Sequence, residues 1–307
     1  MQRPDAPAAW PAAFVLLNPL AAGGHAAQLA PTIQRLLDLH PAQPQLHRVA
    51  SVDHARDLLM RWPRGSRVVL AGGDGTVHHM LPALLERDHQ LGLLPCGAGN
   101  DTARAFGVHG LPLPEALNFA LQGQPLATDL GELRAGTNRT LFISSLAAGF
   151  DAAVAQRALR VPGWLQGMPR YLWAMLAELA SLRRYPVKAT LDGSSANEGD
   201  TLFASTLNTP TYGAGMPAVP RARLDDGRLD LLVAGHFGVI GALAMMPRLL
   251  RGTHLGHARV HTTRYARLRI QSRSPMPLAA DGEMLPDATD FEVRCRAGVL
   301  AAVRKPS

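Results

Sequence analysis

The chain has 307 residues, 47% of them hydrophobic and 18% charged, a composition that fits one large or two ordinary folded domains and excludes intrinsic disorder. Its net charge of +7 favours an anionic partner, a nucleotide or an anionic membrane surface, whereas 5% aromatic residues and no recognisable motif argue against nucleic acid. Two cysteines exclude a disulfide framework, no apolar run approaches the roughly 20 residues that span a bilayer, and residues 1–11 lack a secretory layout, so a cytoplasmic protein is expected.

The first 125 residues alternate between apolar strands and amphipathic helices, which is the pattern of a doubly wound α/β domain. Strands are predicted over residues 14–17, 46–49, 68–70 and 91–94, and helices over residues 26–39, 52–62, 77–87 and 100–106. Near Asp129 the pattern changes.

The second half is predicted to be rich in antiparallel strands. They cover residues 141–146, 187–191, 202–207, 229–233, 266–271 and 291–294, with helices at 152–159, 168–182 and 237–251 and a hairpin turn at 193–199. We therefore expect an α/β domain over residues 1–128 and a β-rich domain over 129–295, with residues 296–307 returning to the first domain.

Glycine turns end three of the predicted strands, and the most informative is Gly72-Gly73-Asp74-Gly75-Thr76. Glycine allows positive φ and close approach of main-chain N–H groups to a ligand, and a helix that begins at such a turn favours an anion. Asp74 would repel a phosphate unless a cation or a hydroxyl lay between them, so the motif favours metal-assisted phosphoryl transfer. For this motif alone, a tight turn in which Asp74 caps the helix is the alternative.

The other two glycine turns contain Gly97 and Gly99, and Gly23 and Gly24. In a parallel sheet the three turns meet at the carboxyl edge, where a ligand crevice is expected. Asn100 or Asp101 is predicted to cap the following helix. The sequence contains no Gly-x-x-x-x-Gly-Lys loop, so backbone N–H groups, arginine and a metal would have to hold phosphates.

The predicted helix at residues 168–182 follows an apolar loop at 161–165. Its apolar spacing fits packing on the sheet. Two sharper interpretations stay open: the helix lines a cleft for an acyl chain, or the loop enters a bilayer interface.

Taken together, seven motifs in order make the chain resemble the diacylglycerol kinase catalytic-domain family, specifically the bacterial soluble lipid kinases related to diacylglycerol and sphingosine kinases. The motifs are Asn18-Pro19 with the following glycines, Gly72-Gly73-Asp74-Gly75-Thr76, Pro95-x-Gly-x-Gly-Asn100-Asp101-x-Ala-Arg104, Asp129-Leu-Gly, Gly149-Phe-Asp151-Ala, Asp226-Gly-Arg-Leu-Asp230 and Asp281-Gly282-Glu283.

This resemblance implies a kinase with an ATP-binding α/β domain, a C-terminal antiparallel β-sandwich-like domain that contributes lipid and metal contacts, and an active site in the cleft between them. It implies ATP and Mg²⁺ as cofactors and a lipid such as diacylglycerol as substrate, met at the membrane surface by a transiently associated cytoplasmic enzyme of phospholipid biosynthesis. Whether the chain forms a homodimer stays open.

By the same resemblance, Glu283 is the general base and Asp74 is the alternative candidate. Mg²⁺ would be held by the Asp226 side chain and by the carbonyls of Arg223 and Arg228, and oxygen ligands suit this hard cation. The residues implied to contact ATP are Asn18, Pro19, Leu20, Ala21, Ala22, Gly72, Gly73, Asp74, Gly75, Thr76, Val77, His78 and Ala98.

Asp101 and Asp129 are expected to support Asp74 in a network that holds Mg²⁺ directly or through water. Each candidate also has a structural alternative: Asp101 as a helix cap, Asp129 as a brace between domains, and Glu283 as part of an Asp-Gly hairpin turn.

The chain departs from the family at Ala98, where threonine is usual, at His78, where asparagine is common, and at Ala22, where glycine is frequent. A lost hydroxyl at Ala98 removes one hydrogen bond to the nucleotide, worth about 0.5–1.5 kcal/mol. The leading hypothesis is an ATP-dependent lipid kinase. The alternatives are a kinase of a sphingoid base or of NAD, and a catalytically weak regulator that binds nucleotide or membrane.

Overall fold

Four parallel strands form the centre of the first half in the computed structural model, which describes residues 12–162, 164–165 and 167–306. Their order across the sheet is β4-β3-β1-β2. They are β1 (Ala13–Leu17), β2 (Gln45–Arg48), β3 (Arg67–Gly72) and β4 (Gln90–Pro95). All four were predicted. Residues 1–11, where the sequence predicted no secretory signal, and Gly163 of the apolar loop lie outside the described residues.

Helices cover both faces of this parallel sheet. Alternate strand residues such as Phe14 and Val15 therefore belong to different hydrophobic cores, one on each face. The helices are α1 (Ala26–Asp38), α2 (Val52–Arg61), α3 (Asp74–Glu86), α4 (Asp101–Ala105) and α5 (Leu113–Gln122). α1 and α5 pack on one face, and α2, α3 and α4 on the other. The predicted doubly wound pattern is confirmed; α5 was not predicted, and α3 begins at Asp74 rather than at Val77.

The second half is built from antiparallel strands and three helices. The strands are β5 (Pro125–Ala135), β6 (Asn138–Phe142), β7 (Ser145–Ala148), β8 (Tyr185–Leu191), β9 (Ser194–Leu207), β10 (Leu229–Gly235), β11 (Val260–Tyr265), β12 (Arg267–Ala280) and β13 (Glu283–Val303). The helices are α6 (Phe150–Ala158), α7 (Met168–Glu178) and α8 (Val239–Leu250).

Several predictions for this half need correction in detail. The strand predicted at 141–146 is two strands, β6 and β7, and β5 and β11 were not predicted. The hairpin between β8 and β9 turns on Asp192 and Gly193 alone, both at positive φ (48° and 87°), so it is tighter than the predicted turn at 193–199.

Strand β13 connects the two halves. It pairs antiparallel with β12 and β5, and near its end Ala302 lies beside Leu91 of β4 in parallel. The strands therefore form one continuous hydrogen-bonded sheet, while the domain boundary at residue 129 stays a prediction. Among the described residues, no helix is both long enough and apolar enough to cross a bilayer.

Candidate active site

The glycine turns after β1, β3 and β4 meet at the carboxyl edge of the parallel sheet, as predicted. The side-chain amide of Asn18 donates to the Thr76 hydroxyl at 3.0 Å. A Cβ added to Gly97 would stand 2.4 Å from the Cα of Gly73, so the two turns touch backbone to backbone and only glycine allows this. We call the space in front of these turns the glycine-turn cleft.

Most of the residues predicted to contact ATP line this cleft. They are Asn18, Leu20, Ala21, Ala22, Gly73, Asp74, Gly75, Thr76 and Ala98. Val77 instead lies fully buried in the core, and the His78 side chain bonds to Asp281. Pro19 and Gly72 do not line the cleft. Sequence reasoning missed further lining residues, among them Ser51, His79, Arg170 and Tyr171.

The N-terminus of α3 faces this cleft. The residue before its first turn is Gly73, so no side chain caps the first amides of the helix. Uncapped amides and the helix dipole together favour a negatively charged group at this position.

Asp74 caps α4 rather than its own helix. Its two carboxylate oxygens accept hydrogen bonds from the amides of Asp101 (3.1 Å) and Thr102 (2.9 Å). The prediction that Asn100 or Asp101 caps this helix is therefore wrong. Asn100 has a left-handed backbone (φ 59°) and bonds to both the amide and the carbonyl of Gly97, because the cap position is already filled by Asp74.

Asp101 ties α4 to the loop after β9. Its carboxylate accepts hydrogen bonds at 2.8 Å from the Thr211 hydroxyl and from the amides of Ala214 and Gly215. Burial, and then the charge of Asp74, raise the pKa of Asp101 to about 6 against the effect of these hydrogen bonds. Asp74, which lines the cleft, and the buried Asp101 beside it thus form one acidic pair.

Asp129 lies at a different place. Its carboxylate accepts hydrogen bonds at 2.7 Å from the amides of Gly227 and Gly298. Burial raises its pKa, with the nearby charges of Asp226 and Asp225 adding to the shift. Asp129 thus contacts the turn of Asp226, and in the part of the chain that the structure describes no three acidic, histidine or cysteine side chains cluster to hold a metal.

The turn at Asp226 offers the predicted oxygen donors, the Asp226 carboxylate and the carbonyls of Arg223 and Arg228. This donor set suits Mg²⁺ in its chemistry. One oxygen of Asp226 accepts the Arg228 amide at 3.0 Å, and the other pairs with the Arg264 guanidinium. A cation at this turn would therefore compete with Arg264.

The Asp281-Gly282 pair forms a two-residue hairpin between β12 and β13, with φ of 50° and 89°. The buried Asp281 carboxylate accepts hydrogen bonds from the amides of Ile143, Ser144 and Ser145 at 2.8–3.1 Å, and bonds to His78 Nδ1 at 3.0 Å. Sequence reasoning gave Asp281 only a place in a motif, and its anchoring role was missed.

Glu283 is the first residue of β13 rather than part of the turn itself, and its side chain reaches the first turn of α3. A Cβ added to Gly75 would lie 2.7 Å from Oε1 of Glu283, and His79 Nε2 lies 3.7 Å from Oε2. The structure therefore brings Glu283 to the glycine turns from the opposite half of the chain.

An apolar cavity adjoins the glycine-turn cleft. Its interior volume is about 140 Å³, and its walls come from α6, α7, α8, β9 and β10. Residues shared by the two spaces are Asp74, Gly99, Tyr171, Asp281 and Gly282. The cavity thus opens beside the carboxylates of the cleft.

Helix α7 contributes to this cavity and also faces outward. Tyr171 and Met175 line the cavity, whereas Trp173 and Leu176 are about half exposed (49% and 51%). One face of the helix therefore packs inward, as its spacing predicted, and the same helix also lines the apolar cavity.

Comparison with known proteins identifies two consecutive family domains. Residues 12–133 match the diacylglycerol kinase catalytic domain, and residues 144–304 match the YegS C-terminal NAD kinase beta sandwich-like domain. A diacylglycerol kinase of Mycobacterium tuberculosis is 35% identical over 217 residues, which cover 70% of each chain. A probable YegS-like lipid kinase of Shewanella frigidimarina is 30% identical over 227 residues, 72% of this chain and 71% of the relative.

The fold is also that of a solved structure, a putative diacylglycerol kinase from Bacillus anthracis. The TM-score is 0.77, with 100% of this chain and 99% of the other covered. At 18% identity this likeness bears on the fold alone.

Proposed function

Since the chain belongs to the family of the diacylglycerol kinase catalytic domain, we propose that it is an ATP-dependent lipid kinase, which transfers the γ-phosphate of ATP to the hydroxyl of a lipid such as diacylglycerol. One observation supports this most strongly. The glycine-turn cleft, which the uncapped N-terminus of α3 faces, and the apolar cavity share one mouth, and Glu283 lines the cleft.

The glycine-turn cleft is the nucleotide side of the proposal. The uncapped N–H groups of α3, at the partially positive end of the helix dipole, and the positively charged Arg170 side chain both favour a polyphosphate there. Each contact with a helix N-terminus contributes about 0.3–1 kcal/mol. Asn18 holds the first turn in place through Thr76, and Ala98 offers the nucleotide no side-chain hydrogen bond.

The apolar cavity is the lipid side. Residues such as Val154, Met175 and Leu249 offer no hydrogen bonds from their side chains, so they favour acyl chains at about 0.8 kcal/mol per buried methylene. The same lining argues against NAD as the acceptor, because NAD would leave polar groups buried and unpaired.

The reaction follows from these positions. Glu283 takes the proton of the lipid hydroxyl as that oxygen bonds to the γ-phosphorus and ADP leaves. The loose transition state of such a transfer depends mostly on positioning and on neutralised charge. Mg²⁺, when bound, would supply part of that neutralisation. Asp74 and Asp101 are the residues proposed to hold this cation, directly or through water. A separate Mg²⁺ that supports the fold is proposed at Asp226 and the carbonyls of Arg223 and Arg228, and Asp129 contacts that same turn.

We also propose that the enzyme works while bound at a membrane surface. Ile240 of α8 and Trp164 before α7 are 84% and 82% exposed, and both helices form walls of the apolar cavity. Charge favours an anionic bilayer, because the sequence has no aspartate or glutamate between Asp230 and Asp281 but has seven arginines there, three of which pair with acidic residues elsewhere in the chain.

The proposed function is tested by incubating the purified protein with Mg²⁺, ATP and a total membrane lipid extract, with mass spectrometry of the phosphorylated lipids. We expect diacylglycerol to be phosphorylated and Glu283→Gln to lower the rate by about 10²–10⁴. The variant should unfold at an unchanged temperature, because the carboxylate is 43% exposed. Glu115→Gln, an exposed position on α5, is the matched control. If no lipid gains phosphate, the proposal is wrong.

A further inference from the structure

Two adjacent histidines of α3 each face one of the two carboxylates that flank Gly282, Asp281 in the hairpin turn and Glu283 at the start of β13. His78 Nδ1 lies 3.0 Å from Oδ2 of Asp281, and His79 Nε2 lies 3.7 Å from Oε2 of Glu283. The turn belongs to the second half of the chain and α3 to the first. Two neighbouring residues of α3 thus lie beside Asp281 and Glu283.

The His78 contact is buried and fixed. The side chain of Asp281 is fully buried, and its oxygens are already held by three backbone amides of residues 143–145. Burial lowers the pKa of His78, but the hydrogen bond and the charge of Asp281 outweigh it, with help from Glu283 and against Arg56, so the net pKa is raised. The contact therefore strengthens when His78 is protonated.

The His79 contact differs in exposure and in charge. Its ring is 34% exposed and lies beside the 43% exposed side chain of Glu283. Burial lowers the pKa of His79, Glu283 opposes this shift, and the charges of His78 and Arg56 add to it. His79 is therefore mostly neutral at pH 7 and has a ring nitrogen free to take up a proton.

We propose that the two histidines serve the base together: His79 accepts from Glu283 the proton that the lipid hydroxyl gives up, and His78, through Asp281, is the positioning residue that holds the turn against α3. This inference rests on the proposed function, in which Glu283 is the base.

The proton can be followed through each bond. The lipid O–H bond breaks as the O–P bond forms, and Glu283 becomes a neutral carboxylic acid. That acid then passes the proton to the neutral His79, through one water across the 3.7 Å gap or directly once the side chains close to hydrogen-bond distance, which leaves a carboxylate and an imidazolium. The partly exposed imidazolium releases the proton to water. Glu283 is thereby ready for the next turnover even while nucleotide and lipid cover it in the cleft.

The contact is tested first without reference to activity, by NMR titration of the His79 ring in the free protein. His79→Gln identifies the resonance. In Glu283→Gln the pKa of His79 should fall below its value in the parent protein, because the neighbouring anion is gone. An unchanged pKa would mean that the pair does not exist and would overturn the inference whether or not the protein is a lipid kinase.

The kinetic test uses His79→Gln with diacylglycerol and ATP. We expect kcat to fall about tenfold, less than the roughly 10²–10⁴-fold typical of a direct acid or base, because Glu283 is still present in this variant. KM for ATP should be unchanged, and the acid limb of the pH profile should move to lower pH. Free imidazole should restore the rate in proportion to its concentration. His261→Gln, on exposed strand β11, should behave like the parent.

His78→Asn should also lower kcat, but imidazole should not restore it, because the lost contact is one of position. If that variant fails to fold, His78→Gln replaces it. A higher KM for ATP in His79→Gln would make His79 a phosphate contact instead, and a lower kcat that imidazole leaves unchanged would rule out proton transfer. A parent protein that phosphorylates no lipid refutes the proposed function, and the NMR titration still decides the pair.

Discussion

Replacing Gly75 with alanine should separate activity from stability. The new Cβ would lie 2.7 Å from Oε1 and 3.9 Å from Cδ of Glu283, and it would meet nothing else within 4 Å. Contacts under 3.0 Å do not persist, so the carboxylate must move away. Glu283 is 43% exposed and has room to do so, and the fold should not change.

The two effects of Gly75→Ala have opposite signs. Alanine is favoured over glycine in a helix by about 0.8–1 kcal/mol, and position 75 lies in α3 without a positive φ, so the melting temperature should stay constant or rise. A misplacement of about 1 Å in a reacting group lowers a rate by about 10²-fold, equivalent to about 2.7 kcal/mol. We therefore expect kcat to fall about 10²-fold, measured as ADP release with diacylglycerol micelles beside a calorimetric melt.

Two controls show whether the loss acts through Glu283. Gly256→Ala places a methyl where nothing lies within 4 Å and should keep the parent rate. Adding Gly75→Ala to Glu283→Ala should lower kcat no further than Glu283→Ala alone, because the affected carboxylate is already absent. A Gly75→Ala protein with the parent kcat would refute the position we give to the base.

Three further outcomes are expected. Because the folded pKa of His78 is raised, its contact with Asp281 stabilises the protein fully below the unfolded pKa of about 6.5, and this stabilisation is lost as the pH rises through the folded pKa. The difference in melting temperature between the parent and His78→Asn should therefore shrink as the pH rises above about 6.5. Mg²⁺ should raise the melting temperature of the parent but not of Asp226→Asn, and Arg264→Gln should need less Mg²⁺ for the same rise; an equal rise in Asp226→Asn would contradict the metal site. Ile240→Glu should weaken sedimentation with anionic vesicles about tenfold or more, because burying this side chain contributes about 1.5–3 kcal/mol, and undiminished binding would exclude this face.

The parallel half of the fold was predictable because each strand is a short apolar run buried on both faces. Helix α5 was missed because Pro112 and Pro114 suggest a turn, although proline is well tolerated at the start of a helix. The long strand β13 was predicted only at residues 291–294, since the rest is partly exposed and contains Pro286. Its neighbours β5 and β12, and not its own pattern, keep that segment extended.

In the candidate site, too, some features could be predicted from the sequence and others could not. The meeting of the glycine turns followed from the sequence, because parallel strands place their carboxyl ends at one edge. The partners of Asp101 and Asp281 could not be predicted from the sequence, because they are far away in the chain. Asp101 bonds to Ala214, 113 residues later, and Asp281 bonds to His78, 203 residues earlier. No local pattern encodes such contacts, so Asp281 was known only as a motif member and Asp101 only as a candidate helix cap or member of the metal network.

These two carboxylates also limit how the two halves of the chain could separate to admit the proposed lipid. Asp101 and Asp281 each join the two halves of the chain through buried hydrogen bonds, so opening the halves would leave charged groups unpaired, which is strongly unfavourable. Helix α8 has no such restraint, since Ala242 is its one buried residue and its exposed face includes Val239, Ile240 and Leu243. Of the three helices that line the cavity, α8 therefore has the fewest buried residues, and its exposed apolar face is the one that we assign to the membrane.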